Sequence, residues 1–130
     1  MKKHRVLFCR YSVDGHDRGL LTVMNRCKDA GMEVIYIHFH NVEEIVKTAL
    51  QEDVCVIGLS SSMGEHFPVI NELSALMQKE NYDVPVIIGG VIPSVDVQPL
   101  KDKGAAEVFG PGSSPDDAVR SIVELSKDKV

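Results

Sequence analysis

The chain has 130 residues, the size of one ordinary domain, and its composition, 44% hydrophobic and 25% charged, is that of a folded globular protein. A net charge of −5 gives no basic surface for nucleic acid or an anionic membrane, and no apolar run is long enough for a bilayer span or a secretory signal. A single cytoplasmic domain over residues 1–130 is expected, with Cys9, Cys27 and Cys55, odd in number and lacking a C-x-x-C pair, as reduced core residues.

The elements alternate along the chain. Short apolar runs at residues 5–9, 33–37, 54–59 and 84–88, with a weaker one at 106–109, predict strands, and their lack of polar alternation predicts cover on both faces. Residues 18–30 carry Leu21, Met24 or Val23, and Cys27 at helical spacing and stop at Gly31. Asn41 followed by Glu44 reads as a capping pair for a helix running to about Glu52, with Ile45 and Ala49 inward. Pro68 suits the first turn of a third helix through Leu73, Leu76 and Met77, and a short fourth is expected over residues 95–103. Ser114-Pro115-Asp116-Asp117 has the cap, first-turn proline and acidic start of a last helix.

Strands alternating with helices, joined by right-handed crossovers, predict an α/β fold: a flavodoxin-like, doubly wound, five-stranded parallel sheet in the order 2-1-3-4-5. Ligands of such sheets bind at the carboxyl ends of the strands. Asp14, His16 and Gly19 follow the first strand on this reading, Ser60-Ser61-Ser62 the third, Gly89-Gly90 the fourth, and Phe109-Gly110-Pro111-Gly112-Ser113 the fifth.

That rim excludes several occupants of the fold. A phosphoacceptor receiver needs a carboxylate at the end of the third strand, where this chain has serines. A flavodoxin needs a hydroxyl-rich loop after the first strand, where it has an acid and a histidine. A dinucleotide site needs G-x-G-x-x-G in the first turn, and the only near match, Gly110-x-Gly112, is at the last strand and lacks the third glycine.

Asp14-x-His16 suits a metal-ligating histidine whose second ring nitrogen donates to a carboxylate, with Gly15 permitting the turn between them. Asp14 or Asp17 serves equally well as a plain helix N-cap, and the pattern alone does not separate the two readings. Gly58, Ser60, Gly89 and Gly90 leave strand ends nearly free of side chains, where a ligand can approach the backbone.

Together, Asp14-x-His16-x-x-Gly19, "VIGLSSS" at residues 56–62, "GGVIP" at 89–93 and "FGPGSS" at 109–114 resemble the cobalamin-binding domain of the methylmalonyl-CoA mutase group over nearly the whole chain. The resemblance implies that His16 is the lower ligand of cobalt in place of the cofactor's own dimethylbenzimidazole, with Asp14 behind it tuning the ligand. It implies that the displaced nucleotide tail enters the glycine-lined slot. Ser60 then bonds the buried base, Gly89 and Gly90 let the tail pass, Phe109, Gly110 and Ser113 lie near its far end, and Val91 follows the glycine pair. Gly15, Asp17, Arg18 and Gly19 complete the loop that starts the first helix. Arg10 stands where the family commonly has Lys, and Ser62 where it commonly has Leu. Gly90 is expected on a rim loop where Gly90→Leu would spare the fold. His66 is expected as a rim residue, and His38 and His40 as surface histidines.

Members of that group pair adenosylcobalamin with a TIM barrel that binds an acyl-CoA, and a barrel needs about 250 residues. The resemblance therefore implies a cobalamin-carrying small subunit, an isomerase component inactive alone, whose partner is a barrel-type large subunit. A cobalamin-dependent sensor would use the same loop. A corrinoid methyl-transfer carrier fits less well, because the stretch before Asp14 is too short for the helical cap such modules carry.

Overall fold

The apolar runs form one parallel sheet, and the helical stretches between them cover it. The computed structural model describes residues 4–11, 18–62 and 64–127. In chain order the elements are β1 (Arg5–Tyr11), α1 (Arg18–Asp29), β2 (Glu33–Phe39), α2 (Glu43–Glu52), β3 (Val56–Ser61), α3 (His66–Lys79), β4 (Val86–Gly90), a 3-10 turn (Ser94–Asp96) leading into α4 (Val97–Asp102), β5 (Glu107–Phe109) and α5 (Pro115–Lys127). The strand order is β2-β1-β3-β4-β5 and every pairing is parallel, as the alternating pattern predicts.

The period of two along each strand sorts the apolar runs between two cores. Val6, Phe8, Val56 and Ile87 face α1 and α5, where they meet Leu20, Met24, Cys27 and Ile122. Leu7, Cys9, Ile57, Leu59 and Ile88 face the other way, against Ile45, Ala49, Ile70 and Leu73 of α2 and α3. Burying each large aliphatic side chain contributes roughly 1.5–3 kcal/mol before ordering costs, so this two-sided cover holds the sheet. In α1 the inward residue is Leu20, while Leu21, expected inward, is 54% exposed.

Local chemistry fixes the helix starts. The Asn41 side-chain oxygen accepts from the Glu44 N–H (3.2 Å), and Glu44 Oε1 accepts from the His40 N–H (3.4 Å). Ser114 Oγ accepts from the Asp116 N–H at 3.1 Å, with Pro115 as the first residue of α5. An exposed Arg26–Asp116 ion pair links α1 to α5.

β3 and β4 begin and end two residues later than the sequence suggests. The Val54 N–H is taken by the Ala49 carbonyl at 3.2 Å, which closes α2. Pro85 has no N–H to give, and only its carbonyl enters the ladder, accepting from the Ile57 N–H at 3.0 Å. Ser60, Ser61, Gly89 and Gly90 are consequently strand residues and not loop residues following the strands. For Gly90 this overturns the expectation of a tolerant rim position. Its φ is +124°, and an added Cβ would lie 2.0 Å from the Ser61 carbonyl oxygen, so Gly90→Leu would disrupt the fold itself.

All three cysteines are free and buried. Burial pushes the Cys27 thiol up to about 11 and drives Cys9 higher still, so both stay protonated and unreactive near neutral pH. Native protein should react slowly with a thiol-specific reagent at pH 8 and rapidly once denatured. Immediate labelling of Cys9 in the native state would contradict this packing.

Candidate functional site

One residue from each strand meets at a single level near the carboxyl end of the sheet. Arg10 pairs with His38 on one side and Ser60 on the other, Ser60 pairs with Gly89, and Gly89 with Phe109. By alternation Ser60 and Gly89 share the face of Phe8, Gly58 and Ile87, which α1 and α5 cover. A serine and two glycines here leave the helices nothing to pack against. A cavity of about 350 Å³ results.

Its inner end is apolar. Phe8 and Ile87 from the sheet, Leu20 and Val23 from α1 and Ala118 from α5 surround it, with Ser60 bringing a hydroxyl-bearing side chain. The glycines act in different ways. At Gly89 an added Cβ would meet only the Phe109 carbonyl at an ordinary 3.6 Å, so its missing side chain is open space. At Gly58 the Cβ would stand 2.8 Å from the Phe8 ring, so this glycine lets the ring come close against β3. Gly110 permits the Ile92 carbonyl to approach within 2.8 Å of the place its Cβ would occupy.

The mouth is formed by Gly19 at the start of α1, by Gly90 at the end of β4 and Val91 just after it, and by the turn from Phe109 to Ser113 that leads into α5. The Ser113 N–H donates to the Gly110 carbonyl at 3.1 Å and tightens that turn. The arrangement suits a flat, largely apolar group with one polar edge, inserted from the strand ends.

Most residues expected at the site from sequence therefore line this one cavity: Gly19, Gly58, Ser60 and the pair Gly89 and Gly90, then Val91, Phe109, Gly110 and Ser113. Arg10, Arg18 and Ser62 do not. Arg18 is the exposed first residue of α1, and Ser62 is exposed just past β3. Asp14, Gly15, His16 and Asp17 lie outside the described residues. Arg10 is 7% exposed beside Ser60, and its Nε and Nη2 have no hydrogen-bond partner among the described residues. An uncompensated buried guanidinium is costly, which makes this position a demand for an anion.

His38 and His40 are exposed, as expected, with His38 Nε2 2.7 Å from the Tyr36 hydroxyl and His40 Nδ1 3.8 Å from Glu44. His66 is near the rim but only 5% exposed. Phe8, Leu20, Val23, Ile87 and Ala118 were not expected at the site from sequence. Phe8 and Ile87 were accessible in principle, since they stand two residues before Arg10 and Gly89 on their strands. The helix residues carry no such signal, because their facing depends on how α1 and α5 dock.

The sequence profile of the B12 binding domain matches residues 4–120. The chain belongs to the B12 binding domain family. The pivalyl-CoA mutase small subunit of Xanthobacter autotrophicus is 38% identical to it over 124 residues, covering 95% of this chain and 84% of that one. The 2-hydroxyisobutanoyl-CoA mutase small subunit of Aquincola tertiaricarbonis is 40% identical, covering 92% and 91% respectively. Methylmalonyl-CoA mutase of Escherichia coli is 36% identical over 126 residues, but this B12 binding domain spans only 18% of it. Among solved structures, a cobalamin-binding protein from Desulfitobacterium hafniense superposes with a TM-score of 0.78 at 22% identity over 95% of this chain and 59% of its own. A Francisella response-regulator receiver domain reaches 0.73 at 16% identity, so these superpositions speak for the fold alone.

The two neighbouring glycines should separate cleanly by mutation. Gly89→Ala should be neutral or stabilising by up to about 1 kcal/mol, because its Cβ enters open space and the unfolded chain loses freedom. Gly90→Ala should cost at least about 1–3 kcal/mol from the left-handed backbone alone. Thermal melts followed by circular dichroism measure both, and equal melting temperatures would contradict the assigned geometry.

Proposed function

We propose that this chain is the cobalamin-carrying small subunit of a two-component acyl-CoA mutase, acting with a separate barrel-type large subunit that binds the acyl-CoA. The observation that carries this reading is the slot between the sheet and helices α1 and α5, kept open at Gly89 and edged by the Ser60 hydroxyl. Similarity along nearly the full length of two mutase small subunits supports it. Adenosylcobalamin, when bound, supplies the radical chemistry of carbon-skeleton rearrangement.

The chain's own residues bind, orient and shield. The slot takes the nucleotide tail: its apolar walls suit an aromatic base, and Ser60 offers a hydroxyl to that base's polar edge. His16 would hold the cobalt of the bound cofactor. Asp14 would fix the histidine's tautomer by accepting its other N–H, and the buried guanidinium of Arg10, with two nitrogens lacking a partner among the described residues, would offer a positive charge to that carboxylate. Arg differs from the Lys usual at this place in offering a planar fork of donors, so it can bond a carboxylate through two N–H groups. Arg18 and Gly19 at the start of α1, with Gly15 and Asp17 just before them in sequence, would border the tail, and Ser62 would stand on the rim in place of an apolar contact. The rim faces the large subunit, which keeps water from the reacting face.

Two measurements test this. Mixed with adenosylcobalamin and candidate large subunits, the chain should support isomerisation of a branched acyl-CoA only when both subunits are present. The cobalt(II) form should show a nitrogen splitting in electron paramagnetic resonance that changes when the protein is labelled with nitrogen-15 histidine and vanishes in His16→Ala. A splitting that survives in His16→Ala would remove His16 from its role. Regulated binding of another protein with no mutase activity in any mixture would favour the sensor reading.

A further inference from the structure

Beyond the slot itself, the segment that follows β4 is tied to the end of β3 by two polar links, and both converge on Ser61. At its near end the Val91 N–H donates to the Ser61 carbonyl at 2.8 Å. At its far end Asp96, in the 3-10 turn, has its Oδ2 3.0 Å from His66 Nε2, while His66 Nδ1 lies 3.3 Å from Ser61 Oγ. Ser61 is 3% exposed and His66 5%.

Between the links the segment has little packing of its own. Val91 and Val95 are 60% and 79% exposed, and Ile92 alone is buried, at 1%. Yet this segment forms one wall of the slot mouth. Val91 lines the mouth, and the Ile92 carbonyl backs the turn at Gly110 on its other side. Moving residues 91–96 would therefore displace both sides of the opening.

The imidazole meets the requirements of the far link. A carboxylate at Nε2 selects the tautomer with hydrogen there, which leaves Nδ1 to accept from the Ser61 hydroxyl. The bond to Ser61 is buried and the one to Asp96 part-buried, and hydrogen bonds are electrostatically stronger where water is excluded, so a partner lost at the buried end is costly. Neither Ala nor a hydroxyl residue could span from the buried strand end to the 3-10 turn.

We propose that His66 is a positioning residue for the slot: by joining Ser61 to Asp96 it holds residues 91–96 in place, so the mouth is shaped before a ligand enters. The statement about ligand affinity rests on the cobalamin reading above; the statement about the segment does not.

The test uses the full chain and two readouts. In the unliganded protein, the Val91 amide should exchange with solvent about fivefold to tenfold faster in His66→Ala than in the wild type, with core amides such as Ile57 unchanged. Asp96→Ala should do the same, and it removes a partly exposed group on a turn, so it guards against misfolding of the buried variant. His66→Gln, whose terminal amide can reach the place of Nε2 and donate to Asp96, should return exchange to within about twofold of wild type. Cobalamin affinity, measured by titration, should fall by a similar fivefold to tenfold in both alanine variants and recover in His66→Gln. Unchanged Val91 exchange in Asp96→Ala, or no recovery with Gln, overturns the proposal. Failure of the wild type to bind cobalamin overturns the cofactor reading instead, while the exchange result still decides the role of His66.

Discussion

The fold's capacity to hold a ligand depends on one omission: at the carboxyl ends of β3 and β4, the face that α1 and α5 cover carries only small residues, Ser60 and Gly89. Lower on that face Val6, Phe8, Val56 and Ile87 fill the layer, and the helices pack onto them. Higher up, Ser60 and Gly89 leave a gap that the rigid helices cannot bend to close. Interiors pack densely, so an internal space of about 350 Å³ has to be built into the sequence. The pieces that build it lie on different strands, and only the parallel register brings Ser60 beside Gly89 and Gly89 beside Phe109.

The same scaffold serves quite different chemistry. A receiver domain superposes on this chain nearly as well as a cobalamin-binding protein does, with TM-scores of 0.73 and 0.78. What separates such proteins is the residues at strand ends. A serine pair at the end of β3, where a phosphoacceptor needs a carboxylate, and glycines at the end of β4 are small changes in sequence.

The strands, helices and their order were legible because covered parallel strands read as continuous apolar runs and helix starts carry their own caps at Asn41 and Ser114. The exact ends of β3 and β4 were not, since they turn on partners distant in sequence: Val54 is claimed by Ala49 of α2, and Pro85 withholds an N–H. That difference moved Gly90 from a presumed loop into a strained strand end. The glycine motifs pointed to the right region, but motif spacing treats Gly89 and Gly90 alike, and only the backbone shows that one makes room while the other permits a turn. The link from His66 to Asp96 spans 30 residues and leaves no local signature at all.

The central claim is that the slot between the sheet and helices α1 and α5 receives the nucleotide tail of cobalamin. Nuclear Overhauser contacts in the complex with diamagnetic cobalt(III) cobalamin test it most directly. The dimethylbenzimidazole protons should show contacts to the methyl groups of Ile87, Val23 and Ala118. A bound cofactor with no such contacts, whose absorption spectrum shows the base still on cobalt, would contradict it.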